Sequence, residues 1–177
     1  MGQDEPSSVT PCNSSDRRVN RNAGDHPTFL ADRMLGKLAR WLRLMGYDTE
    51  YADDLDDRSI AKIAVDEGRI LLTRDKALHS RKGIMSVYVD AVKLEDQLHI
   101  VAAACGLEFD EYRMRCSLCN GIISVVPPER VSNRIDGSIL SRHSHFYICS
   151  SCGKIYWRGS HWERISNTIG RALAEPL

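Results

Sequence analysis

An α/β layer followed by a small, mostly-β module is the fold this sequence predicts, and three observations carry it. Short apolar runs alternate with helical periodicities from Phe29 to Gly106. After Tyr112 the texture changes to β-like runs such as "IISVV" and "HFYI", interrupted by Pro127, Pro128 and Gly137. Two CxxC pairs, Cys116 with Cys119 and Cys149 with Cys152, frame that second stretch. The 177 residues allow one ordinary domain or two small ones, and 42% hydrophobic content is enough for a real core.

Taken in order, residues 1–27 are rich in Ser, Asn, Asp, Arg and Pro without apolar periodicity and read as a disordered tail. "FLAD" is a short strand ending on Asp32. After it Leu35, Leu38, Ala39, Leu42 and Met45 recur at helical spacing until Gly46 closes the helix. "YDTEYA" reads as a second strand. Asp56 or Asp57 caps a helix carrying Ile60, Ile63 and Ala64, and Gly68 ends it before the strand "RILLT". "IMSVYV" gives a further strand, and Leu94 to Cys105 a helix closed by Gly106. This alternation implies parallel pairing through right-handed crossovers. The expected division is an α/β domain over 28–112, a cysteine-framed module over 113–165, and a C-terminal tail or short helix over 166–177.

Net charge is zero but unevenly spread: Phe29 to Tyr112 holds 12 Lys/Arg against 16 Asp/Glu, and Arg113 to Arg171 holds 9 against 3. An acidic half that gathers carboxylates and a basic half that holds a polyanion would divide labour sensibly in a nuclease, although ordinary solvated surface fits the same numbers. No run approaches the ~20 apolar residues of a membrane span, and the start lacks a signal-peptide pattern. A soluble, cytoplasmic protein is therefore expected.

Six cysteines are present, and the regular pairing of four of them argues for a metal site in a reducing compartment rather than disulfides. Cys116, Cys119, Cys149 and Cys152 match a closed tetrahedral zinc site, which leaves no position for chemistry and supplies folding energy to a module too small to hold together by apolar burial. Gly121 and Gly153 sit where the knuckles need a permissive backbone.

In an open parallel sheet, ligands bind beyond the carboxyl ends of the strands. Asp32 lies just past the first strand and Asp75 just past the third; Asp53, Asp54 and Asp57 follow the second. Carboxylates converging there require a divalent cation, and an all-oxygen acidic site suits Mg²⁺ or Mn²⁺. Such ions serve phosphodiester hydrolysis. Each acid also has a bland reading, as a helix cap at Asp32 or Asp57 and as a turn residue at Asp75. Lys37, Arg40 and Arg43 recur every third residue after Asp32, and they, with Arg74, are candidates for RNA phosphates; a solvated basic face is the alternative. In "YWRGSHW", Arg158 and His161 are candidate substrate contacts, while Trp157 and Trp162 either stack on bases or dock the module.

The segments "FLADRMLGKLARWLRLMGYDT", "RILLTRDKAL", "LEDQL", "RCSLCNG" and "YICSSCGKIYWRGSHW", in that order, resemble the Mut-seven C-terminal RNase domain family, a branch of the PIN-like nucleases, over about residues 29 to 165. The resemblance implies a PIN-like parallel sheet flanked by helices, an appended zinc ribbon, and Mg²⁺- or Mn²⁺-dependent cleavage of RNA. It maps the family's acidic positions onto Asp32, Asp75 and the acidic group before the second helix, where Asp57 is the best match and Asp54 its neighbour; Asp90 is nearest to a fourth. RNA is the expected partner, no membrane is, and a homodimer is left open. The alternatives are a non-catalytic RNA-binding or ribosome-associated adaptor, and, ranked lower, a metal-free RNase built on His79, His143, His145 or His161.

Overall fold

The computed structural model describes residues 26–174. The tail expected over 1–27 lies outside the described residues as far as residue 25, as do residues 175–177. The first layer runs β1 (Phe29–Asp32), a 3₁₀ turn (Arg33–Leu35), α1 (Gly36–Leu44), β2 (Thr49–Ala52), α2 (Asp57–Asp66), β3 (Ile70–Thr73), α3 (Lys76–His79), β4 (Ser86–Tyr88) and α4 (Leu94–Cys105). The four strands form one parallel sheet in the order β2-β1-β3-β4. The order is matched by burial: β1 and β3 are buried on both faces, as central strands of a helix-covered sheet must be.

Period-two alternation sorts the two cores. Phe29, Ala31, Ile70 and Leu72 face α1 and α4, whereas Leu30 and Leu71 face Ile60, Ala64 and Leu78 on α2 and α3. The chain leaves β1 toward β2, then crosses back to β3 on the other side, so the switch point of the sheet lies between the carboxyl ends of β1 and β3.

The second layer is the antiparallel sheet β5 (Ile123–Val126), β6 (Phe146–Cys149) and β7 (Ile155–Trp157), in that order, with the short α5 (Gly137–Leu140) between β5 and β6. A helix then begins inside the stretch assigned to the cysteine module: α6 runs Ser160–Leu173, longer than the tail or short helix expected from 166. Ile165, Ile169 and Ala172, spaced four and three apart, pack it into the α1/α4 core, and Arg171 pairs with Glu95 at 2.7 Å. The chain thus returns to the first layer after building the second.

Candidate active site and metal centre

Two carboxylates stand at the switch point. Asp32 ends β1 and is 5% exposed. Its Oδ1 accepts from the Met34 N–H (2.8 Å), which starts the 3₁₀ turn, and its Oδ2 accepts from the Thr73 hydroxyl (2.5 Å) and the Arg74 N–H (3.0 Å). Asp75 caps α3, its Oδ1 accepting from the Ala77 and Leu78 N–H groups at 2.7 and 3.0 Å. Its own N–H donates to Thr73 Oγ1 at 2.9 Å. Thr73, fully buried at the end of β3, therefore ties the two acidic segments together through one hydroxyl. Capping does not use up either group. A carboxylate has about four lone-pair positions, three are taken on Asp32, and Asp75 Oδ2 accepts no bond among the described residues.

Asp32 and Asp75 line a cleft of about 510 Å³ with Asp56 and Asp57. Asp56, not Asp57, caps α2, accepting from the Ser59 N–H at 2.7 Å. Asp57 is left as the first helical residue, its carboxylate 3.9 Å from the Arg81 guanidinium. Asp54 is exposed and outside the cleft lining; Asp53 accepts from the Tyr51 hydroxyl at 3.0 Å. Asp90 is likewise exposed and outside that lining. The cations that share the cleft are Arg33, Arg58 and Arg81, none of which the periodicity argument singled out. Lys37 and Arg40 lie exposed on α1, and Arg74 is half-buried beside the acids.

Arg43 differs from the expectation of a phosphate-facing residue. It is 6% exposed, and its guanidinium donates to three carbonyls: Thr49 on β2 (2.8 Å), Ser117 (3.3 Å) and Leu118 (3.0 Å) on the first cysteine knuckle. Burial lowers its pKa, yet a guanidinium stays charged, so it serves as a permanent clamp between the layers.

The four cysteines converge. Their sulfurs lie within 4.8 Å of one another, the one such group of three or more metal-binding side chains among the described residues. Cys116 and Cys152, and Cys119 and Cys149, stand 3.5 Å apart, close to the edge of a tetrahedron with ~2.3 Å metal–sulfur bonds. The donor set fits zinc. The first knuckle's left-handed residue is Asn120 (φ 63°) and the second's is Gly153 (φ 71°), so Gly121 does not serve the role expected of it. Gly121 is required for space instead: a Cβ there would stand 2.9 Å from Cys149 Sγ and 2.5 Å from Ser151 Oγ. Burial acts to raise the Cys116 thiol, but hydrogen bonds from the Tyr156 hydroxyl and from the Cys119 and Leu118 backbone outweigh it and hold the group at about 6. The same burial raises the Tyr156 hydroxyl and keeps it a donor.

The model of the Mut7-C RNAse domain family matches residues 27–169. The chain belongs to that family. Among curated proteins nothing matches it, and the same holds for solved structures. The match spans both layers of the Mut7-C chain, and the contacts between them make it one unit. Asn120, 6% exposed, accepts from the Thr49 N–H (3.1 Å) and donates to Asp48 (2.9 Å) and Glu50 (3.1 Å). Arg115 adds a bond to the Asn120 carbonyl (2.9 Å) and an ion pair with Asp48 (3.3 Å), which Arg69 also holds at 2.7 Å. Asn120 and Arg43 therefore satisfy the N–H and C=O of Thr49 on β2, an edge strand whose free groups would otherwise invite pairing.

Proposed function

We propose that this Mut7-C chain is a divalent-cation-dependent ribonuclease with a PIN-like catalytic layer, working in the cytoplasm, and that its ribbon is zinc-bound and helps hold RNA. The observation that carries the reading is the Asp32–Thr73–Asp75 linkage at the switch point of the sheet, opening into a cleft that also holds Asp57. Outside the cysteine cluster no three metal-binding side chains crowd together among the described residues. Mg²⁺ and Mn²⁺ are bound through one or two carboxylates and keep several waters, so the pair of acids at this cleft is a sufficient donor set for such an ion. Asp32 and Asp75 would hold such an ion directly, with Asp57 reaching it through water. A bound ion would supply an activated water and a counter-charge for the transferring phosphate.

The protein's own contribution is positional. Thr73 and the Met34 and Arg74 N–H groups fix the Asp32 rotamer before substrate arrives, so no reorganisation is required at the moment of reaction. Arg33, Arg58 and Arg81 at the cleft would take the flanking phosphates, with Arg74 beside the acids, and Lys37 and Arg40 would extend the track along α1. The test is cleavage of a single-stranded RNA with Mn²⁺ present or dialysed away, by the parent chain, Asp32→Asn and Asp75→Asn. Loss of cutting in either variant, with folding intact, supports the proposal. Binding without cutting under every condition would favour an RNA-binding adaptor.

A further inference from the structure

A second cavity, of about 530 Å³, lies between the ribbon and the first turn of α6. Leu44, the last residue of α1, lines it, whereas Arg33 and Met34, just before α1, line the acidic cleft. The nine residues of α1 thus separate the two openings, a distance of about 13 Å at ~1.5 Å per residue. The volume falls within the ~300–1,000 Å³ usual for ligand sites.

Its lining sets aromatic and cationic groups over an apolar floor that includes Leu44, Ile139 and Ile165. Tyr147 and Trp157 supply aromatic faces; Arg142, His143, Lys154 and Arg158 supply cationic or neutral donors; no carboxylate takes part among the described residues. Trp157 is 37% exposed. Arg158 is the unusual member. One guanidinium nitrogen pairs with Glu111 at 3.3 Å, and the group sits over the rings of Tyr112, Tyr147 and Trp162 at 5.3, 5.9 and 6.0 Å. Its Nε and Nη2, however, are buried with no hydrogen-bond partner among the described residues. Buried donors without acceptors are destabilising, so this guanidinium still has hydrogen bonds to give to an acceptor that the described residues do not supply. Aromatic faces, cations and waiting donors, with no acid in the lining and Glu111 holding Arg158 from outside it, match a ligand that is aromatic at one end and anionic at the other.

We propose that this cavity is a second nucleotide site, taking one unpaired nucleotide with its base against Tyr147 or Trp157 and its phosphate against Arg158, Arg142 and Lys154. The proposal rests on the reading of the chain as an RNA-acting protein and adds where, away from the acidic cleft, a nucleotide is held. That nucleotide comes either from a single strand or from the free mononucleotide pool, and the arms of the test separate the two sources.

Calorimetric titration of the full, zinc-loaded chain with AMP, with a short oligoribonucleotide and with inorganic phosphate decides it, repeated on Trp157→Ala and Lys154→Ala in an Asp75→Asn background that prevents cutting. Binding of AMP or of the oligonucleotide weakened about five- to a hundredfold by Trp157→Ala, the loss of one base–aromatic stack, is the expected result. Response to the oligonucleotide alone assigns the site to a strand; response to AMP as well assigns it to any nucleotide. Phosphate binding as tightly as AMP, indifference of both ligands to Trp157→Ala, or no binding at all overturns the proposal. The two readings fail separately. A chain that binds nucleotide here and never cuts RNA keeps this site and loses the nuclease; a chain that cuts RNA with a KM untouched by Trp157→Ala keeps the nuclease and loses this site.

Discussion

Thr73→Val isolates the hydroxyl on which the acidic site depends. Valine preserves the shape of a fully buried strand residue but removes the 2.5 Å bond to Asp32 and the 2.9 Å bond from the Asp75 N–H. The first is charge-assisted and worth about 1.5–3 kcal/mol; the second leaves a part-buried donor unpaired, at about 1–3 kcal/mol. With the added apolar methyl offsetting some of this, the net loss is about 2–4 kcal/mol. For a chain of this size that lowers Tm by roughly 5–15 °C. Thr73→Ser keeps the hydroxyl and loses only a methyl group, about 1 kcal/mol. Thermal unfolding of the zinc-saturated proteins, with RNA cleavage measured in parallel, compares them. Val must be clearly less stable than Ser and must cut more slowly, because Asp32 is no longer held in one rotamer. Equal stability of the two variants would refute the bridging role.

Arg43→Met retains most of the buried stem but abandons three carbonyls between β2 and the first knuckle, and a loss of about 2–4 kcal/mol, read from denaturant unfolding, is expected. Gly121→Ala drives a Cβ against Cys149 Sγ, so zinc affinity, measured by chelator competition, should fall at least about tenfold while α1 to α4 keep their amide signals. Burial acts to raise the Asp48 carboxyl, but Arg69, Asn120 and Arg115 hold it below its ordinary 3.8. A depressed carboxylate stabilises fully above 3.8 and progressively less as pH falls through its folded value, so the layers should loosen in acid below that point. Asp48→Asn should remove this part of the acid dependence in a pH series of Tm.

The strands and the longer helices of the first layer were legible because apolar period and turn residues agree there: Gly46, Gly68 and Gly106 all take positive φ where the pattern closes a segment. That Asp32 and Asp75 reach the same sheet edge was legible for the same reason, since each directly follows a strand of a parallel sheet. Residues whose roles depend on two modules meeting were not. A spacing of three residues falls about 60° short of a full helical turn, so Lys37, Arg40 and Arg43 do not share one face, and by Arg43 the row has rotated into the seam where the knuckle docks. Asn120 carried no sequence signal because its partners, Thr49, Asp48 and Glu50, lie some seventy positions earlier. Asp56 and Asp57 are equally good caps by composition, and only the backbone decides which is used. Thr73 was hidden by its neighbours, an apolar strand before it and a charged pair after it. The i, i+4, i+7 stripe of Ile165, Ile169 and Ala172 was readable, but a boundary drawn at 165 cut through it.

The central claim, that the acids at the switch point share a divalent cation, is tested most directly by titrating the ¹⁵N-labelled, zinc-loaded chain with Mn²⁺ and following paramagnetic broadening of its amides. Selective broadening at Met34, Thr73, Arg74 and Ala77, abolished by Asp32→Asn or Asp75→Asn, is the result predicted. Amides at the cleft that stay sharp while Mn²⁺ acts elsewhere, or broadening that survives both substitutions, would contradict it.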